Sequence, residues 1–129
     1  MRIRLVSIMV DDQAKALAFY TDVVGFTKKH DIPTGEYRWI TLVSPDGPDE
    51  CELVLEPNAN PAGKTFQAAI RAQGIPATAF ESDDVAADYA RLKAAGAVFT
   101  KEPSTFGTTT LAVFDDTCGN LIQIYKDEG

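Results

Sequence analysis

Phe114-Asp115-Asp116-Thr117-Cys118-Gly119-Asn120, followed by Leu121-Ile122-Gln123-Ile124-Tyr125, reads as an acidic turn, a glycine and a short strand of alternating pattern. An earlier stretch has the same build. Ser44-Pro45-Asp46-Gly47-Pro48 turns the chain, and Cys51-Glu52-Leu53-Val54-Leu55-Glu56 is the strand after it. Glu52 and Gln123 hold matching places in the two strands, 71 residues apart. The offset recurs elsewhere. Asp12 opens an amphipathic run closed by Gly25, and Asp84 opens a similar run closed by Gly96, at offsets of 72 and 71 residues. Each run follows an apolar strand. One duplication at this period is too long for a solenoid unit and predicts two tandem copies of a βαβββ module.

The spacing predicts module 1 over about 3–56, a linker with a short helix over 57–74, and module 2 over about 76–126, all within one domain of 129 residues. The fold class is α+β, two curved mixed sheets around a cup-shaped cavity. In module 1 the pattern predicts strands over 3–10, 26–32, 37–43 and 51–55. In module 2 it predicts strands over 76–80, 97–100, 108–114 and 121–125. Asp11 or Asp12 caps the first helix, whose buried stripe is Leu17, Tyr20 and Val24, widened by Phe19 and Val23. Val85, Tyr89 and Leu92 form the stripe of the later helix, and the linker helix runs over 64–72 with Phe66 and Ile70 on one face.

Net charge is −7 with a sequence pI near 4.6, which argues against nucleic acid, since phosphate backbones would be repelled. Solubility alone explains such a charge. The functional version is an acidic cleft that attracts a cationic ligand. No apolar run approaches the ~20 residues of a membrane span. Met1-Arg2-Ile3-Arg4 leads into a strand pattern without the apolar region or cleavage site of a secretory leader, so the expected location is cytoplasmic. Cys51 and Cys118 sit at matching places before the two last strands and form no zinc pattern. They read as reduced structural thiols, with a disulfide left open.

The Asp12-to-Tyr20 pattern D-x-x-x-x-x-x-F-Y, V-x-G-F at Val23 to Phe26, and D-x-x-G-N at Asp116 to Asn120 resemble the vicinal oxygen chelate superfamily. This is the glyoxalase, bleomycin-resistance and extradiol dioxygenase group. The likeness covers nearly the whole chain and speaks for the fold more than for one activity. It implies a homodimer with first-strand residues near the partner. Metal enzymes of that group hold a divalent ion with four side chains, two per module, usually His or Gln, Glu, His and Glu. The matching places here are Leu5, Glu52, Ala77 and Gln123. Three of the four depart from the pattern. Leu5 and Ala77 cannot ligate, and Gln123 is a weak neutral donor. The single histidine, His30, cannot complete a two-imidazole site and reads as a solvent-exposed or hydrogen-bonded polar residue. The resemblance and this donor set imply no metal or other cofactor, with a divalent metal only under the alternative reading.

Glu52 is then the best candidate for a functional group, as a polar anchor or an acid–base catalyst. If Leu53 and Leu55 face the helices, Glu52 lines the opposite face of the sheet with Gln123 and Tyr125, and Met9, Ser7 and Ala79 add neutral walls. Leu5 and Ala77 give the apolar floor. Of Arg38 and Trp39 only one can share that face, and alternation does not say which. Burial would raise the Glu52 pKa and an approach by Arg38 would lower it. Serines at 7, 44, 82 and 104 lack a nucleophile-elbow context, and no glycine-rich phosphate loop is present. The reading that follows is a metal-free protein binding a small molecule, cationic if the acidic cleft is functional. The alternative is a small-molecule lyase, isomerase or dioxygenase-like enzyme, with or without a metal.

Overall fold

The computed structural model describes all residues, Met1 to Gly129. The element order is β1 (Leu5–Val10), α1 (Gln13–Ala18), β2 (Thr27–Thr34), β3 (Tyr37–Val43), β4 (Glu52–Pro57), α2 (Pro61–Ala72), β5 (Thr78–Glu81), α3 (Val85–Ala94), β6 (Val98–Phe106), β7 (Thr109–Asp115) and β8 (Leu121–Asp127). The chain divides into two compact units, Met1–Phe66 and Gln67–Gly129. Each holds one four-stranded mixed sheet, ordered β1-β4-β3-β2 in the first and β5-β8-β7-β6 in the second. In both, the first strand pairs in parallel with the last, and the other pairs are antiparallel. The duplication predicted from the 71-residue offset is therefore the architecture.

In the first unit Asp12 caps α1, its side chain accepting from Lys15 N at 3.0 Å. The helix then widens into a π-helical turn over Phe19–Val24, where Gly25 N donates to Tyr20 O at 3.1 Å. Gly25 ends it at φ +96°, a left-handed conformation that favours glycine. The turn corrects the expected stripe. Ala16, Phe19 and Tyr20 are buried, whereas Leu17, Val23 and Val24 are only partly so. A turn closed five residues apart takes in an extra residue and rotates those beyond it off the 3.6-residue face. The buried positions Ile8, Val10, Ile40, Leu42, Leu53 and Leu55 alternate along β1, β3 and β4 and make one apolar face. Each such side chain contributes about 1.5–3 kcal/mol by burial.

In the second unit Asp84 caps α3 in the same way, accepting from Ala87 N at 3.0 Å. Val85 and Leu92 are buried as expected. Between them Tyr89 sets its ring edge-on to Phe99 at 4.6 Å, and Phe99 meets the buried Phe114. Most boundaries move by one or two residues from the sequence pattern, and two move further. The linker helix starts at Pro61 because Asn60 caps it, accepting from Ala62 N at 2.9 Å, and proline is well placed at a first helical position. β6 runs to Phe106 despite Pro103, since it is an edge strand with two register shifts and needs no inward N–H there. Both cysteines are free thiols, Cys51 exposed and Cys118 buried.

Candidate functional site

The register of the first sheet decides what stands beside Glu52. Leu5 pairs with Glu52 across the parallel ladder and Thr41 with Val54 across the antiparallel one. Residues two apart share a face, so Leu5, Ser7 and Met9 of β1 and Thr41 and Trp39 of β3 lie on the Glu52 side. His30 and Ile32 of β2 join them, paired with Thr41 and Trp39. Trp39 is thus the residue that shares the face. Arg38 lies on the other side, where its guanidinium forks onto Asp31 (Nε to Oδ1 2.9 Å, Nη2 to Oδ2 2.6 Å). Its backbone is tied to α1 by Gln13, whose amide donates to Arg38 O and Leu55 O and accepts from Arg38 N. The fork lowers the Asp31 pKa and raises that of Arg38.

Arg38 accordingly has no part in the charge of Glu52; Lys29 and His30 do. Lys29 Nζ stands 3.5 Å from Glu52 Oε2, and His30 Nε2 3.7 Å from Oε1. The carboxylate is 15% exposed. Its pKa is lowered, first by the Thr41 hydroxyl, then by the Lys29 and His30 charges, against an opposing push from burial. Thr41 Oγ1 is itself buried without a hydrogen bond of full geometry, so the two groups are close neighbours rather than a settled bond. Burial alone would have raised the pKa, but the nearby donors outweigh it. Glu52 stays ionised near neutrality and presents an acceptor on the face that carries Trp39, although the pairing of Thr41 with Val54 sets the indole two same-face rows further along the sheet. Lys29, His30 and Thr41 were not singled out by the sequence as partners of Glu52. A register shift between Lys28 and His30 breaks the alternation of β2, and only the pairing with β3 turns His30 to this face.

In the second unit Gln123 is half-buried, paired with Ala79 on one side and Val113 on the other. Tyr125, two residues on, keeps to the same face and pairs with Leu111. The repeat is not exact in register. Glu52 has Leu5 as its parallel partner, whereas Gln123 has Ala79, two residues beyond the Ala77 that the sequence offset matched to Leu5. The D-x-x-G-N loop is structural. Asp116 is fully buried, and its carboxylate accepts from Cys118 N at 2.7 Å, Asn120 N at 3.0 Å and Asn120 Nδ2 at 2.8 Å.

The metal that the fold group implies does not fit these residues. Glu52 has a leucine as its parallel partner, Gln123 an alanine, and nowhere do three His, Cys, Asp or Glu side chains gather in a way that could hold an ion. The one carboxylate among the four matching places already faces the Lys29 ammonium and the His30 imidazole. A catalytic divalent site requires about three protein ligands.

Two βαβββ units, each with a helix on one face of its sheet and the paired strands presenting the other, define a glyoxalase-like protein. The chain belongs to the Glyoxalase/Bleomycin resistance protein/Dioxygenase superfamily, whose profile matches residues 2–124. It is 56% identical over 126 residues to the uncharacterized protein YurT of Bacillus subtilis (strain 168), covering 98% of this chain and 99% of that one. Among solved structures it resembles UcmS2, with a TM-score of 0.84 and 35% identity over 97% of each chain. It also resembles TnmS3, an antibiotic binding protein from Streptomyces sp. CB03234, with a TM-score of 0.79 and 28% identity over 99% of this chain and 97% of that one.

Proposed function

We propose that the protein binds an organic small molecule without a metal, using the Glu52 face of the first sheet. The observation that carries this is the composition of that face. An ionised, mostly buried carboxylate shares one sheet face with Trp39 and apolar Leu5 and Met9, and no three metal donors gather around it. Small-molecule sites take orientation from a few polar groups and affinity from apolar and aromatic walls. The likeness to TnmS3, which binds an antibiotic, supports the same reading. Glu52 would accept a hydrogen bond or a positive charge from the ligand, and a cation would compete with Lys29 and His30. In the second unit, Gln123 and Tyr125 are proposed as ligand-binding residues on the matching face of their own sheet. The test is a thermal-shift screen of natural-product antibiotics on chelator-treated protein and on Glu52→Gln. Hits shared equally by both proteins would remove Glu52 from the site.

One observation favours acid–base catalysis as a second reading: His30 and the Thr41 hydroxyl both stand beside the Glu52 carboxylate. Turnover of a screened compound, lost in both Glu52→Gln and His30→Gln, would favour it.

We further propose a homodimer. β1 is an edge strand of its sheet, and Ile3, Leu5 and Val6 are respectively 83%, 51% and 49% exposed. An apolar edge left bare invites pairing. Light scattering at tens of micromolar should give twice the chain mass of 14.0 kDa, and a monomer mass would count against the dimer.

A further inference from the structure

The second unit contains a groove that none of the site residues anticipated from the sequence lines. It is open to solvent, has a volume of about 440 Å³, and lies between the end of α2 and the sheet. Arg71 and Gly74 form one wall, Thr100 and Lys101 of β6 the other, and Val113 and Leu121 the floor. Val113 and Leu121 are both buried apolar residues. In a chain of net charge −7, the two charged side chains lining this groove are both cations.

The arginine is held in advance. Arg71 Nη2 donates to Asp115 Oδ2 at 2.6 Å and Nη1 to Asn120 O at 3.2 Å. Asn120 is fixed in turn, donating through Nδ2 to the buried Asp116 and accepting at Oδ1 from Gln67 Nε2 at 3.1 Å. Gln67 lies one turn before Arg71 on α2, so the same helix sets both ends of this chain of bonds. A guanidinium has five N–H donors in a planar fork, and these bonds use two of them. The side chain is 37% exposed, which leaves the rest of the fork within reach of a ligand. Asp115 balances one positive charge; Lys101 of the lining can supply a second, its ammonium swinging in from its resting place 4.7 Å from the centre of the Phe106 ring, which lies outside the groove. A pre-ordered fork loses little rotamer entropy when it takes up two oxygens.

We propose that this groove is a subsite for a small molecule bearing an oxyanion. Arg71 and Lys101 hold its carboxylate or phosphate, Thr100 offers a hydroxyl, and Val113 and Leu121 support its apolar part. The charge preference is opposite to that expected from the acidity of the whole chain. The inference goes beyond the reading of the Glu52 face and is tested with different probes.

The probes are benzoate and inorganic phosphate, each titrated at constant ionic strength and pH. The readout is the backbone amide shifts of Gly74, Thr100 and Lys101 and the side-chain Nε–H of Arg71. Saturable shifts confined to these residues are expected. Saturation by benzoate alone assigns the subsite to carboxylates, and by phosphate alone to phosphate esters. Lys101→Gln should weaken the binding by about three- to tenfold, and Arg71→Lys, which keeps the charge and loses the fork, should weaken benzoate by a similar factor. Linear shifts scattered over many surface cations would overturn the proposal, as would an unchanged affinity in Lys101→Gln. Because the signals arise in the second unit, a negative result here leaves the Glu52 reading standing.

Discussion

His30 Nε2 stands 3.7 Å from Glu52 Oε1, on the sheet face that also carries Trp39. The contact joins the chain's single histidine to its most distinctive carboxylate. It also makes that carboxylate's ionisation a property of the fold, because strand pairing sets the distance.

The first prediction concerns acid. The folded pKa of Glu52 lies below its ordinary value of 4.5. A depressed carboxylate contributes stability that is present above the ordinary pKa and lost as pH falls through the folded one. Thermal midpoints recorded from neutral to strongly acidic pH should fall less steeply in Glu52→Gln than in the parent below 4.5. Parallel curves would show that the Lys29 and His30 contacts do not shift the group. The same contacts mean that Glu52→Gln should lower stability at neutral pH, not raise it as partial burial alone would suggest.

Arg38 provides a contrast. Its fork with Asp31 lies on the opposite side of the sheet from Glu52. Arg38→Lys should lower the thermal midpoint slightly and leave every ligand response of the screen intact. Loss of ligand binding in this variant, with the fold preserved, would mean that the site has been drawn on the wrong face.

Gly119 has φ +102°, and a Cβ there would come within 2.8 Å of Gln67 Nε2. Gly119→Ala should cost on the order of 1–3 kcal/mol in urea unfolding, from left-handed strain and the crowding of Gln67 together. A change of a few tenths would show that the loop relaxes freely.

Asp116 gives a larger effect. Asp116→Ala leaves the buried N–H groups of Cys118 and Asn120 without their shared acceptor. The loss should be on the order of 3 kcal/mol, measurable by the same unfolding experiment. An effect near zero would mean that water replaces the carboxylate.

Much of this fold was legible in the sequence because its punctuation is local. Asp12 and Asp84 each cap a helix through their own side chains, and Gly25 and Gly96 close the runs within a single turn. Glu52 was legible as a polar residue on the face away from Leu53 and Leu55, since strand alternation has a period of two. Its neighbours were not. Lys29 and His30 reach it through a register shift in β2, and the choice of Trp39 over Arg38 follows from the pairing of Thr41 with Val54. Pairing register is a long-range property, absent from any one stretch of chain. The same holds for the groove beside Arg71, whose walls come from segments about 30 residues apart brought together by sheet packing.

The most direct test of metal-independent binding at the Glu52 face uses Trp39, the chain's one tryptophan. Its fluorescence should report a ligand that lies along this face from the carboxylate toward the indole. The measurement is a fluorescence titration of chelator-treated protein with the strongest hit of the antibiotic screen, repeated on Glu52→Gln. A saturable change without added metal, weakened about tenfold or more in Glu52→Gln, is the predicted result. A response that appears only after a divalent ion is supplied, or is identical in the two proteins, would contradict it.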